Sequence, residues 1–178
     1  LGGAACDFFE LAGPSCGRKG SLYEGGFRVP TLVRWKGHIP AGTISDRVTG
    51  FEDWIPTLLE LIGAKTAIPP GLDGISFAPT LLAQQQPERP FLYREFPGYG
   101  GQVALRVGDW KAVVQNLMPQ GKRPAQPWKV ELYNLKADVS ESKDVAVSHP
   151  DIVVRMEQIM REQHIPSAEF PFKAIDQR

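Results

Sequence analysis

Cysteine is scarce in this chain: 178 residues hold two, Cys6 and Cys16. Two cysteines do not make the framework of a disulfide-stapled miniature domain. They either pair across their short loop in an oxidising compartment or stay as thiols. Charge of one sign is also missing, since 20 Lys and Arg face 20 Asp and Glu. Without a net field, composition argues for neither nucleic acid nor a membrane surface as partner. No apolar run approaches the ~18 residues of a spanning helix. Nor does a basic-then-apolar leader follow Leu1, so the chain reads as a mature piece or a fragment. What it has in quantity is 18 glycines and 16 prolines, which exclude a bundle or coiled coil and imply a loop-rich body. With 42% hydrophobic residues it can bury one core or two small ones. No internal repeat is evident.

The most informative stretch is Gly17-Arg18-Lys19-Gly20-Ser21-Leu22-Tyr23-Glu24-Gly25-Gly26-Phe27-Arg28-Val29-Pro30. Glycines let backbone approach a ligand closely, and a lysine among them is a mobile point charge able to reach an anion. By itself such a lysine is ordinarily just solvated. The whole string, however, resembles the lysine segment of the sulfatase family, G-x-K-x-x-x-x-E-G-G-x-R-x-P, through Gly17, Lys19, Glu24, Gly25, Gly26, Arg28 and Pro30. The resemblance continues through Trp35 to Gly42, where Lys36 replaces a usual proline, through Asp53 to Leu59, and through Leu132-Tyr133-Asn134-Leu135. It implies an α/β fold: the C-terminal part of an alkaline-phosphatase-like sulfatase, with a small antiparallel sheet plus helix subdomain. The division expected is 1–86, trailing the catalytic domain, and 87–178, the C-terminal subdomain. The polar, proline-flanked Gln84–Pro90 segment marks the boundary.

Within the first part, Phe27–Trp35 reads as a strand of a large, mostly parallel sheet, with Pro30 near its start. Asp53 is the expected N-cap of a helix whose core-facing residues are Ile55, Leu58, Leu59 and Ile62, ended by Gly63. In the second part, Phe91–Phe96 and Val130–Leu135 read as strands. Val103–Val107 and Trp110–Val114 form a hairpin about Gly108-Asp109. That turn sets Val107 opposite Trp110, Leu105 opposite Ala112 and Val103 opposite Val114, making one apolar face. On the other face Arg106 lies beside Lys111. Like charges across a ladder repel, so an anion is expected nearby: solvent ions, a carboxylate such as Glu131, or a substrate. Asp138, Glu141 and Asp144 read as a solvated turn, because EF-hand spacing is absent. Ser148 is the expected cap of a helix opened by Pro150, with Ile152, Met156, Ile159 and Met160 facing the hairpin. The tail from Ile165 lies over the surface, and His38, His149 and His164 read as surface or capping residues.

The resemblance implies sulfate-ester hydrolysis through a formylglycine nucleophile, made from Cys or Ser in C/S-x-P-x-R, and a Ca²⁺ held by Asp and Asn. It assigns one catalytic-type residue here, Lys19, whose ammonium would contact a sulfate oxygen and the leaving oxygen. Arg106 and Lys111 are weaker candidates for substrate binding. Glu24 and Arg28 read as a buried structural ion pair. The nucleophile motif is absent: Cys6 is followed at the required offsets by Phe8 and Glu10, Cys16 by Arg18 and Gly20, and Ser148 by Pro150 but then Ile152. No Asp-Asp or Asp-Asn-Gly run supplies calcium, so no metal ligand is assigned in this chain. The implied substrate is a sulfated small molecule or sulfated glycan, and the implied compartment is periplasmic, secreted or lysosomal. Two alternatives stand beside it. One is a phosphodiesterase or phosphonate hydrolase of the same superfamily. The other is a non-catalytic carbohydrate-binding module using Trp110, Lys111, Trp128 and Lys129.

Overall fold

The computed structural model describes residues 13–176, which fall into two compact units. One joins the segment up to Val29 with Tyr93 onward, and the other is Pro30–Leu92. The lysine segment thus belongs to the same compact unit as the C-terminal sheet. The reason is a run of buried polar contacts, described below.

The first unit is built on a four-stranded sheet in the order β1 (Leu92–Phe96), β2 (Gln102–Val107), β3 (Trp110–Val114), β4 (Glu131–Asn134). The hairpin has the expected register: Val103 faces Val114, Leu105 faces Ala112, Arg106 faces Lys111 and Val107 faces Trp110. Gly108, at φ +56°, supplies the left-handed residue that a two-residue turn requires. β4 adds antiparallel to β3, with Leu132 beside Ala112 and Tyr133 beside Lys111.

Both faces of this sheet are covered. Helix α4 (Pro150–Gln163) lies against β2, with Met156 and Met160 fully buried. Its N-cap is His149 and no side chain caps it, while Ser148 ends a 3₁₀ turn, Ala146–Ser148. Pro150 explains the shift, because a residue without an N–H costs nothing at the first helical position. On the opposite face, Leu22 packs with Ala104, Val113 and Tyr133. The alternation reads as apolar on one side and polar on the other, yet here the polar side is covered by the lysine segment.

The tail is anchored, not draped. Phe172 and Ile175 of the short helix α5 (Lys173–Asp176) and the turn before it are buried. His164, just past α4, is 2% exposed. Its Nδ1 lies 2.7 Å from Glu95 Oε1 and its Nε2 2.8 Å from Asp176 Oδ1. The surface or capping role expected for this histidine is therefore corrected. With a carboxylate oxygen within hydrogen-bond distance of each ring nitrogen, the imidazole ties β1, the end of α4 and α5 together.

In the second unit, a 3₁₀ turn (Phe51–Asp53) runs into α2 (Trp54–Leu61), and α3 spans Ala78–Leu81. Asp53 stands at the N-cap position of α2, but its side chain makes no capping hydrogen bond there. Its buried carboxylate accepts from the Gly50 and Ile75 N–H groups at 2.7 Å each, and both oxygens lie 2.6 Å from Arg89 Nη1. Thr57 links the same knot onward, donating to the Asp53 carbonyl and accepting from the Phe77 N–H. Two expectations fail here. Phe27–Trp35 is not a strand: among the described residues it pairs with none, and Leu32 is 96% exposed. A β pattern without a neighbour to complete its ladder leaves only an extended run. The α2 face expected in the core is the outer one, with Ile55, Leu58 and Ile62 exposed and Pro56 and Thr57 buried. A contiguous apolar face of this kind marks a surface made to be covered.

Candidate functional site

The lysine segment folds around one close approach. Ser21 N–H donates to the Arg18 carbonyl at 2.9 Å, closing a turn through Lys19 and Gly20. The one-turn helix α1 (Glu24–Phe27) then doubles back on it. Gly25 N–H donates to the Cys16 carbonyl at 2.7 Å. A Cβ at Gly26 would overlap the Ser21 carbonyl oxygen and sit 2.8 Å from that of Arg18, so only glycine lets the helix cross the turn.

What fastens this unit to the sheet is Glu24, which is 2% exposed. Its Oε1 lies 2.8 Å from Lys111 Nζ and its Oε2 3.3 Å from Arg106 Nη1. Glu24 N–H donates to Glu141 Oε2 at 2.7 Å, and Glu141 Oε1 stands 3.1 Å from the Lys111 ammonium. That second contact is an ion pair with poor hydrogen-bond alignment, since Oε1 has no hydrogen-bond partner of its own. The ring of Phe27 closes the site, with Nζ 4.5 Å from its centroid. Two cations and two anions thus cancel in a place shielded from water. Burial pushes the Glu141 carboxyl above the ordinary carboxylate range, against the pull of Lys111.

The sequence candidates separate cleanly. Lys111 is wholly buried, its ammonium held by Glu24, Glu141 and Phe27, so its place is structural rather than substrate-facing. Arg106 is held by Glu24 and by the Gly108 carbonyl at 3.0 Å. The anion expected beside this pair belongs to the chain itself, and it is Glu24 and Glu141, not Glu131. Glu24 does form a buried ion pair, but with Lys111 and Arg106, while Arg28 is exposed. Lys19 is exposed at the tip of the turn. Glu141, read as part of a solvated turn, is buried at φ +51°. Asp138 and Asp144 accept from backbone N–H groups of their own turn and of Leu132. Those oxygens are occupied, and among the described residues no group of three His, Cys, Asp or Glu is placed to hold a metal. Cys6 lies outside the described residues, and Cys16 is a partly buried thiol raised by desolvation, with Glu141 adding to the shift.

A second clamp is aromatic. Tyr23 hydroxyl donates to Glu131 Oε2 and accepts from Gln115 Nε2, and Tyr133 hydroxyl donates to the same carboxylate oxygen at 2.9 Å. The two rings meet edge to face with centroids 5.9 Å apart. Desolvation, then the Glu131 carboxylate, raises both phenols above their ordinary range. Tyr93 is raised likewise by burial and Glu95. The sign follows from proton counting. Near pH ~10 the unfolded chain loses these protons while the folded one retains them, so the unfolded state binds fewer and stability falls as pH rises. Alkaline unfolding should therefore set in at about pH 10, with phenolate absorbance appearing together with the loss of secondary structure. Phenolate formation well before unfolding would show that these hydroxyls are not held as described.

The likeness of this chain to known proteins makes it the C-terminal portion of a sulfatase. More particularly, the family described as "N-sulphoglucosamine sulphohydrolase, C-terminal" matches residues 18–165, and the chain belongs to it. Mouse N-acetylgalactosamine-6-sulfatase is 35% identical over 99 residues, covering 54% of this chain and 18% of that protein. A solved chain described with the metabolism of multiple glycosaminoglycans by Bacteroides thetaiotaomicron superposes with a TM-score of 0.65 at 25% identity, covering 89% of this chain and 35% of its own. The crystal structure of Ps i-CgsB in complex with k-i-k-neocarrahexaose superposes with a TM-score of 0.63 at 34% identity, over 81% of this chain and 30% of its own. The chain thus spans about a third or less of the relatives it matches.

Proposed function

We propose that these residues are the C-terminal portion of an enzyme that hydrolyses sulfate esters, and that Lys19 is their contribution to its active site. The observation that carries this is the division of labour in the lysine segment. Glu24 and Leu22 are committed to the sheet, whereas Lys19, at the tip of the turn, is exposed, as is Arg28. A compact ammonium on a pinned turn is suited to meeting charge that develops on a leaving oxygen. The formylglycine nucleophile and the calcium that the family resemblance implies have no counterpart in residues 13–176 and would be supplied from other parts of the enzyme. The substrate class is a sulfated small molecule or sulfated glycan, in keeping with the neocarrahexaose held by Ps i-CgsB.

Within the same superfamily the rival is a phosphodiesterase or phosphonate hydrolase. The module reading is less well served. Trp128 donates from Nε1 to Glu157 at 2.6 Å under Arg161, Trp110 stacks obliquely on His149, and Lys111 is buried. The deciding experiment compares the complete enzyme with the isolated chain on 4-nitrophenyl sulfate and on bis(4-nitrophenyl) phosphate. The complete enzyme should cleave the sulfate at least ~100-fold faster than the phosphate diester, and the isolated chain should cleave neither. Preference for the diester would replace the sulfatase reading with its rival.

A further inference from the structure

The loop between β1 and β2 holds an aromatic residue in a backbone conformation that aromatics avoid. Gly98-Tyr99-Gly100-Gly101 makes a tight turn closed by Gly101 N–H to the Gly98 carbonyl at 3.2 Å. Its two central residues have φ +52° (Tyr99) and +89° (Gly100). Positive φ at both central positions is the turn that Asn, Asp or Gly fill without strain, and a tyrosine in the first of them is out of place locally. The ring is not compensated by burial, since Tyr99 is 65% exposed. Strain kept at an exposed side chain points to function.

The ring lies beside Phe96, with centroids 6.2 Å apart, and against the lysine turn. A Cβ at Gly20 would clash with Tyr99 Cε2 and stand 2.7 Å from Cδ2, so the ring lies flat against the backbone next to Lys19. The arrangement is rigid. Gln102, buried and directly after the Tyr99 turn, donates to the Gly20 carbonyl at 2.8 Å and accepts from Leu22 N–H at 3.1 Å. On the other side, Met118 and Leu117 N–H groups donate to the Gly100 and Gly101 carbonyls at 2.7 and 3.1 Å. Lys19 and Tyr99 are therefore presented together, one as a point charge and one as an exposed aromatic surface.

We infer that Tyr99 is a substrate-binding residue that packs its ring on the pyranose of a sulfated saccharide whose sulfate is engaged by Lys19. The C–H face of a sugar fits an aromatic face, and the phenol oxygen offers a hydrogen bond at the rim. The inference rests on the sulfatase reading and deepens it, choosing a sulfated glycan over a small aryl sulfate as the substrate class.

The test uses the complete enzyme, 4-nitrophenyl sulfate, and a panel of sulfated mono- and disaccharides of galactose, N-acetylgalactosamine and N-acetylglucosamine. Tyr99→Gly removes the ring and suits the backbone. It should raise KM for the best saccharide about tenfold, leave kcat within about twofold, and keep or raise the melting temperature. Tyr99→Phe keeps the ring and loses only the rim hydrogen bond, so its KM should rise by no more than about threefold. An unchanged KM in Tyr99→Gly overturns the inference. So does a joint fall in kcat and melting temperature, which would make the ring a structural cover for Gly20. A wild-type enzyme active on 4-nitrophenyl sulfate but on no saccharide also defeats it while leaving the sulfatase reading intact. Inactivity of the wild type on every sulfate removes both.

Discussion

Glu24→Ala should destabilise the protein by about 3–5 kcal/mol, the cost of leaving a buried cation without its main partner. Lys111 is fully enclosed, and Glu24 Oε1 at 2.8 Å is its one well-aligned carboxylate contact. Glu141 remains at 3.1 Å, but that contact is misaligned and its carboxyl is already resisting ionisation. Losing Glu24 also frees α1, and with it the turn that carries Lys19. Substituting both partners separates charge from shape. Glu24→Leu combined with Lys111→Met removes that unpaired cation but leaves Glu141 without one, so the double variant should recover part of the loss of the single one. Unfolding in urea, or the shift in thermal midpoint, measures each corner of the cycle. A single-variant loss below about 1 kcal/mol would mean that water reaches Lys111 and the cluster is no anchor.

Why the anchor was hidden in the sequence is instructive. The hairpin register was legible residue by residue, because a two-residue turn beginning in glycine leaves only one way for the strands to pair. From it came the Arg106 and Lys111 neighbours, and from like-charge repulsion the need for an anion. The anion's identity was not legible. Glu24 and Glu141 stand 82 and 35 residues from Arg106, one opening a one-turn helix and one in a turn, with no periodicity to link them, and their meeting is fixed only by tertiary packing. The same holds for Asp53 with Arg89, 36 residues apart, and for His164 between Glu95 and Asp176. Single polar residues at element ends carry no pattern, whereas methionines at helical spacing placed α4 correctly.

The two misread elements have a common cause. Phe27–Trp35 has the pattern of a strand and α2 the pattern of a core helix, yet Val29 and Leu32 in the one and Ile55 and Leu58 in the other are exposed. Periodicity reports which face needs covering, not what covers it. The four-stranded sheet finds both its partners, α4 and the lysine segment, within the described residues, and its pattern is legible in the sequence for that reason.

Lys19→Ala should lower turnover of a sulfate ester by the complete enzyme ~100-fold, equivalent to about 3 kcal/mol of transition-state stabilisation. The side chain is exposed and the turn is fixed by its backbone and by Glu24, Gly26 and Gln102, so the melting temperature should move by less than about 2 °C. This contrast with Glu24→Ala is the core of the prediction. One variant loses rate with its fold intact, and the other loses fold and rate together. Lys19→Arg should recover little, because a planar guanidinium delivers its charge in a fork and not as the compact, rotatable ammonium suited to a single leaving oxygen. The dependence on the leaving group adds a second readout. If the ammonium meets charge on that oxygen, Lys19→Ala should hurt esters of poorly acidic alcohols, such as sugars, more than the activated 4-nitrophenyl ester, whose oxygen needs less stabilisation. Activity of Lys19→Ala within threefold of wild type on both ester types would take Lys19 out of the active site and leave its segment a purely structural bracket.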